Sequence, residues 1–240
     1  MIEQGAMGLA NGSLPLALYS DDQQNGRGQL GNDWNSEVGK NITMTIAFPI
    51  KSSQNIDVVQ WNKALSVSTL APIQKQLNEP LFLKWPNDIV TETQKLGGLL
   101  MEMTQIGDQK FLLLGIGINA NQIHWKNESK ATSLGKISGE VINIPGVMDA
   151  ILFSLDEIWE NMNDLHAEYR KSLWKIGKEV ILEVQHNAKL GATEITMLNQ
   201  VSGVHVHGIL LDIDQVGRIV IADADGKLLA FHHGQVRLQF

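Results

Sequence analysis

The feature that most constrains this chain is a change of texture at residues 175–178. Downstream of it, short apolar runs at residues 180–184, 194–198, 204–212, 218–222, 228–231 and 236–238 alternate with glycine-bearing turns. Five or six such runs in the 65 residues from 176 to 240 predict a small β-barrel. Upstream the apolar runs are longer, and two of them repeat at helical spacing. The chain therefore divides into a large unit over residues 1–175 and a small β unit over 176–240.

Within the large unit, residues 14–20 form an apolar run that predicts a buried strand. Residues 42–48 alternate, Ile42, Met44, Ile46 and Phe48 against Thr43, Thr45 and Ala47, as a half-buried strand does. A helix is expected over 57–77, with Val58, Trp61, Leu65 and Leu70 on one side and Pro72 ending or kinking it. Residues 81–84 read as a strand stopped by Trp85-Pro86-Asn87-Asp88. Residues 95–103 and 110–118 read as a β-hairpin around Ile106-Gly107-Asp108. The clearest helix is 145–169, where Val147, Met148, Ile151, Leu152, Leu155, Ile158, Trp159, Met162 and Leu165 recur at i, i+3, i+4 behind Pro145. Residues 21–41 are polar and rich in glycine, too poor in apolar residues to be an element. A long structureless loop inside a compact unit usually carries function.

Composition narrows the function classes. Hydrophobic residues are 43% and net charge is −7, so the chain can bury a core but lacks the basic surface of a general nucleic-acid binder. With no cysteine there are no disulfides, thiol nucleophiles, iron–sulfur clusters or thiolate zinc sites. No apolar run approaches the ~18 residues of a membrane span. The first twenty residues contain Glu3 and neither Lys nor Arg, unlike a secretory signal. A soluble cytoplasmic protein is expected. His205 and His207 share a strand face, but no third metal ligand accompanies them, and both they and His232-His233 read as solvated barrel residues.

Two glycine segments imitate nucleotide fingerprints. Gly26-Arg27-Gly28-Gln29-Leu30-Gly31 fits G-x-G-x-x-G, and Gly115-Ile116-Gly117-Ile118-Asn119-Ala120 fits its alanine-ended variant. The fingerprint works only where a helix begins, because the pyrophosphate sits on that helix's N-terminus. Neither segment is followed by a helical pattern, and neither ends in the Gly-Lys-Ser/Thr of a P-loop. What remains is a set of loops suited to anions. Arg27 stands between glycines, Lys84-Trp85-Pro86-Asn87-Asp88 ends a strand, Lys95-Leu96-Gly97-Gly98 opens another, and Gly115-Ile116-Gly117-Ile118-Asn119 closes the hairpin. Each alone is ordinary turn chemistry; their joint occurrence is not.

Together these segments resemble the biotin protein ligases. Gln23-Gln24-Asn25-Gly26-Arg27-Gly28-Gln29-Leu30-Gly31-Asn32-Asp33-Trp34 is similar to that family's Q-T-x-G-R-G-R-x-G-x-x-W loop. Lys84 to Asp88 matches its K-W-P-N-D without change, and Lys95 falls seven residues after Asp88, the family's spacing for its essential lysine. Gly115 to Asn121 resembles its G-I-G-I-N-x-N, and Ala131-Thr132-Ser133-Leu134 a further segment that precedes a helix. The resemblance implies an α+β fold: a mixed or antiparallel sheet flanked by helices, like a class II synthetase catalytic domain, then an SH3-like β-barrel.

It also implies a reaction: ATP-dependent biotinylation of a carrier-protein lysine through biotinoyl-5'-adenylate. Two anions at ~4 Å in a partly dry site repel by about 4 kcal/mol, so cations must stand between carboxylate and α-phosphate. By resemblance, Lys95 and Arg27 are catalytic, Lys95 bridging biotin's carboxylate and the α-phosphate. Gln23, Gly26, Arg27, Gly28, Gln29, Lys95, Gly98, Gly115 and Gly117 would bind biotin, and Trp34, Lys84, Asn87, Asp88 and Asn119 the nucleotide, Asp88 also serving as orienter or base in the transfer step. Mg²⁺ would accompany ATP, with no dedicated metal ligands evident. The implied partner is the biotin carboxyl carrier domain of acetyl-CoA carboxylase, with neither nucleic acid nor membrane, and a homodimer is open. Thirteen residues before the first strand leave no room for a DNA-binding winged helix, so a mono-functional ligase is expected. Two departures stand out: Gln29 replaces a common second arginine, and the family's Ser-Thr-Asn segment is missing from residues 1–12, which suggests a start upstream of Met1. The rival readings are a lipoate or octanoyl ligase of the same fold and a non-catalytic ligase-fold binding protein.

Overall fold

The computed structural model describes residues 15–51, 56–125, 130–160, 165–185 and 205–240. Six strands form an antiparallel sheet in the order β1-β4-β8-β7-β6-β5: β1 (Leu16–Tyr19), β4 (Asn41–Ile50), β5 (Phe82–Lys84), β6 (Asp88–Val90), β7 (Lys95–Ile106) and β8 (Gln109–Asn119). The expected hairpin is present and longer than expected. Its two-residue connection uses the left-handed conformation of Gly107 (φ 58°).

Alternation along these strands gives the sheet two unlike faces. Ile42, Met44, Ile46 and Phe48 of β4 and Leu112, Leu114, Ile116 and Ile118 of β8 are buried on one face. Helices α1 (Val58–Gln74) and α3 (Ile144–Glu160) cover it, and Trp159 packs on Phe48 and Trp61 with ring centroids 5.0 and 5.2 Å apart. Asp57 caps α1, its Oδ1 accepting from the amides of Val59 and Gln60. Pro72 sits in the last turn and α1 ends two residues later, as a proline that removes a helical donor requires. The opposite face carries Thr43, Thr45, Gly115, Gly117 and Asn119 and is not covered by these helices.

Three expectations are corrected. The strand expected to be buried over 14–20 is β1 at the sheet's edge, with Leu18 and Tyr19 exposed. Residues 21–41 are not structureless: β2 (Gly26–Arg27) pairs with β3 (Asp33–Trp34) across one 3₁₀ turn at Gln29–Gly31. A two-residue ladder is too short to leave a periodic signal. The stretch 145–169 is not one continuous helix: Leu165 is the non-helical N-cap of a separate α4 (His166–Ser172), and Met162 lies outside the described residues. A short helix α2 (Leu134–Ser138) is capped by Ser133, whose Oγ accepts from the Lys136 amide, as the segment before a helix should do.

After α4 the chain turns at Lys175 and Gly177, both with positive φ, into an antiparallel sheet of order β12-β11-β10-β9-β13. Its strands are β9 (Glu179–Val184), β10 (His205–Ile213), β11 (Ile219–Ala222), β12 (Leu228–Phe231) and β13 (Val236–Leu238). The strand expected over 194–198 lies outside the described residues. Val180, Leu182, Ile219, Ile221 and Phe231 join the buried cluster of the larger sheet, so the two sheets share one apolar core. Lys63 of α1 reinforces the contact: its Nζ donates to the carbonyls of Ile213 (2.8 Å) and Asp214 (3.0 Å).

Candidate active site

The uncovered face owes its shape to residues that lack side chains. Asp88, Gly98, Gly117 and Thr43 stand opposite one another across β6, β7, β8 and β4, and Leu100, Gly115 and Thr45 form the next row. Directly opposed residues of antiparallel strands point to the same side, so the glycines open a trough floored by backbone. In Gly115-Ile116-Gly117-Ile118 the isoleucines fill the core beneath while the glycines clear the face above.

Lys95 and Gly98 are three residues apart and would point to opposite faces of a regular strand. A register shift where β7 meets β6, between Ile89 and Val90, removes that conflict. As a result Lys95 Nζ lies over the trough, 3.8 Å from where a Cβ on Gly98 would stand. Asp88 Oδ1 is 2.7 Å from Lys95 Nζ. Residues 130–132 fix the lysine's backbone, the Lys95 amide donating to Lys130 O (2.7 Å) and the Thr132 amide to Lys95 O (2.9 Å).

The other expected residues have varied surroundings. Lys84 stands opposite Asp88 and is buried, its Nζ 4.6 Å from the Phe240 ring and 5.8 Å from Trp174. Burial lowers its ammonium pKa to about 8; Asp88 opposes the shift, and Lys95, Arg237 and Lys130 add to it. Four cations around one carboxylate make this corner positive within an acidic protein. Asn87 continues the ladder, its Nδ2 donating to the Leu99 carbonyl. Asn119 is buried and donates to Thr132 O at 2.9 Å.

The loop between β1 and β4 hangs over this face. Trp34 rests on Gly117: a Cβ there would lie 2.6 Å from Trp34 Cε2. The indole centroid is 5.9 Å from Lys95 Nζ. Gly26 opposes Trp34 in the short ladder, and a Cβ on it would meet Trp34 O at 2.5 Å and Gln23 Oε1 at 2.7 Å. Arg27 is exposed and, with Gly28, Gln29, Gly31, Leu100, Met101 and Glu102, lines a cleft of about 410 Å³. Gln29 Oε1 and Trp34 Nε1 are buried without a hydrogen-bond partner among the described residues, one acceptor and one donor facing this site. Trp34, Lys95, Asp88, Gly98 and Gly117 are thus brought together, with Gly115 one row away and Arg27 on the overhanging loop. The nitrogens of Lys84, Asn87 and Asn119 are turned to packing or backbone carbonyls.

Residues 15–119 match the Biotin/lipoate A/B protein ligase family. The chain is 29% identical over 231 residues to the bifunctional ligase/repressor BirA of Bacillus spizizenii, covering 92% of this chain and 69% of that one. It is 27% identical over 231 residues to the biotin–[acetyl-CoA-carboxylase] ligase of Mycobacterium tuberculosis, covering 92% and 78%. Among solved structures, the biotin protein ligase from Aquifex aeolicus in complex with biotin and ATP superposes with a TM-score of 0.70 at 25% identity, covering 93% of this chain and 88% of that one.

Over residues 15–119, the segment that holds the glycine row and its overhanging loop, the chain is similar to the biotin/lipoate protein ligases.

Three features of this site escaped the sequence reading. Gln122 ties the loop's stem to the sheet, its Oε1 accepting from Asn41 Nδ2 and from the Glu37 amide (3.1 Å). Thr43, expected only as the polar side of a strand, completes the glycine row and donates through Oγ1 to the Ser20 carbonyl. His233 of the C-terminal sheet lines the cleft beside Arg27 and meets Trp85 edge-on, with centroids 6.0 Å apart. Its neighbour His232 had the same sequence signal, so nothing in the sequence could separate them.

Proposed function

We propose that this protein is a biotin protein ligase that activates biotin with ATP to biotinoyl-5'-adenylate and passes the acyl group to a carrier-protein lysine. One observation carries the reading. A lysine ammonium held by Asp88 overlies a trough cleared of side chains by Gly98 and Gly117, beneath a loop bearing Arg27 and Trp34.

With no side chain at Gly98, Gly115 and Gly117, backbone is the wall against which a ring system would lie. Lys95 stands where it can meet a carboxylate and a phosphate together, stabilising the charge that develops as pyrophosphate leaves. Arg27 adds a second cation from the loop. Gln23, Gly26, Gly28, Gln29 and Gly115 are the remaining candidates around biotin. Trp34 is the candidate for the adenine and Asn119 a further nucleotide contact, while Lys84 contributes charge from beneath Phe240. The family's Mg²⁺ would travel with ATP. Among the described residues no three metal-binding side chains cluster, so no step is assigned to the ion. No helix among the described residues is long and apolar enough to cross a membrane. In this reading the division at residue 175 sets the unit that carries Lys95 and the trough apart from the C-terminal sheet that borders its cleft. The acceptor is a carboxylase carrier domain, as the name of the M. tuberculosis relative suggests. A lipoate ligase or a non-catalytic binding protein is not favoured, since the relatives and structures above are named for biotin.

The test is incubation with ATP, Mg²⁺ and biotin, or lipoate in parallel, with mass spectrometry of the protein-bound product. Biotinoyl-adenylate is expected. Lipoyl-adenylate in its place, or no adenylate, would overturn the reading.

A further inference from the structure

The transfer step needs an amine, yet an acceptor lysine arrives as an ammonium. Asp88 is poorly placed to take its proton, because the carboxylate is engaged with Lys95 at 2.7 Å. Among the described residues, His233 has no such engagement. It belongs to the turn between β12 and β13, which is held by hydrogen bonds from the Gln235 amide to His232 O (3.0 Å) and from the His232 amide to Gln235 Oε1 (2.7 Å), with Gly234 at φ 87°. The ring stands edge-on to Trp85 at 85°, and Trp85 is itself fixed by its Nε1 donating to Gly217 O at 3.1 Å. This locks an exposed imidazole at the border of the cleft that Arg27, Gly28 and Gln29 line from the other side. The cleft reaches Leu100, whose Cβ is 3.5 Å from where a Cβ on Gly115 would stand, so it opens onto the face that carries Lys95.

We propose that His233 takes the proton from the acceptor lysine in the transfer step, which makes the C-terminal sheet a contributor to catalysis. The inference rests on the ligase reading above. The acceptor ammonium gives one proton to an imidazole nitrogen. The freed amine forms its C–N bond to the acyl carbon, and the acyl C–O bond breaks with its electron pair leaving on AMP. The second amine proton passes to water. Partial burial holds the imidazole below the usual histidine value, which keeps it neutral near pH 7. The charged groups facing it across the cleft are Arg27 and Glu102, with His232 adjacent.

The experiment separates the two half-reactions in the full chain. Biotin-dependent exchange of pyrophosphate into ATP reports the first, and single-turnover transfer from preformed adenylate to a purified biotin carboxyl carrier domain reports the second. His233→Gln is expected to slow transfer roughly 100-fold while exchange persists. Added imidazole should restore transfer in proportion to its concentration, a rescue that a packing role would not show. Unimpaired transfer, or impaired transfer without rescue, would overturn the inference. Loss of both half-reactions in His233→Gln and His233→Asn alike would assign the residue a structural role and overturn it too. Absence of exchange in the wild type would instead overturn the ligase reading itself.

Discussion

Asp88 Oδ1 and Lys95 Nζ lie 2.7 Å apart, joined across the β6–β7 turn and set over the Gly98 backbone. The carboxylate orients the ammonium over the glycine row, so the protein's own charges set the position of the cation. Preorganised charge of this kind is worth about 100- to 1,000-fold in rate. Lys95→Ala should abolish adenylate formation, by at least 100-fold, with unchanged circular dichroism. Asp88→Asn should cost less, near tenfold, because the cation remains and only its orientation loosens. Activity above about a tenth of wild type in Lys95→Ala would remove the lysine from the mechanism.

Gly117 and Gly97 lie diagonally across the β7–β8 ladder, opposite Gly98 and Ile118, and alanine should act differently at each. At Gly117 the new methyl would meet Trp34 Cε2 at 2.6 Å, and Trp34 belongs to a loop that can move aside. Gly117→Ala should therefore keep global stability within about 1 kcal/mol while displacing the indole and cutting activity at least tenfold. At Gly97 the methyl would meet Gly117 O at 2.6 Å and Ile118 Cδ1 at 2.5 Å inside the core. Gly97→Ala should cost about 1–3 kcal/mol, the usual penalty of overpacking. Urea unfolding with tryptophan emission reads both. Equal stability losses would mean that Trp34 is as fixed as the sheet.

Trypsin cleavage at Arg27 should slow when biotin and ATP are both added. The loop is held by one two-residue ladder, a Gly39 amide to Asp21 carbonyl bond at its neck (2.8 Å), the Glu37 amide bond to Gln122 at its stem (3.1 Å) and the Trp34 contact. That is little against an ordering cost of ~1–2 kcal/mol per residue, so a bound anion should shift the loop toward its ordered form. Cleavage rates that are the same with and without ligands would exclude this coupling.

Strand alternation and the glycine positions were legible in the sequence because period-2 patterning fixes which residues share a face. That alone separates the Ile116 and Ile118 core from the Gly115 and Gly117 floor. The register shift beside Lys95 was not legible, since Lys-Leu-Gly-Gly reads the same with or without it, and so the face on which the lysine lies had to come from the fold. The break at Leu165 was hidden for a related reason: Leu165 itself continues the apolar spacing of 145–158, so the sequence reads across it. His233 was illegible because its neighbours, Trp85 and Arg27, are 148 and 206 positions away in the chain. Only the packing of the C-terminal sheet against the Trp85 turn brings them near.

That packing has its own test at Lys63. The side chain is buried in α1 and its Nζ donates to Ile213 O and Asp214 O and lies 3.1 Å from His166 Nδ1, whose ring in turn sits 3.3 Å from Asp212. Lys63→Met would fill the same volume but leave the carbonyls without this donor, at about 1–3 kcal/mol for a buried group. A loss of about 2–4 kcal/mol is expected, read calorimetrically as a Tm lower by roughly 5–15 °C. A fall smaller than 2 °C would show that the contact between α1 and the C-terminal sheet does not depend on the lysine.

Lys84 gives stability a dependence on pH at the alkaline end. Burial against Phe240 and Trp174 lowers its folded-state pKa to about 8, with Asp88 opposing, while in the unfolded chain it titrates at its ordinary value of 10.5. Between those values the unfolded state binds the extra proton, so stability rises with pH across that window and is flat with respect to this group below it. The cost of holding the charged form buried, a few kcal/mol in order of magnitude, is present at neutral pH and is relieved as pH climbs from about 8 toward 10.5. Other lysines and tyrosines titrate in the same range, so the measurement must be a difference. Urea midpoints of wild type and Lys84→Met at pH 7, 8, 9 and 10 should diverge progressively above pH 8, the wild type gaining relative to the variant. A constant difference across the series would mean that Lys84 keeps its proton in the folded state, and that the Phe240 and Trp174 rings together with Asp88 compensate for its burial.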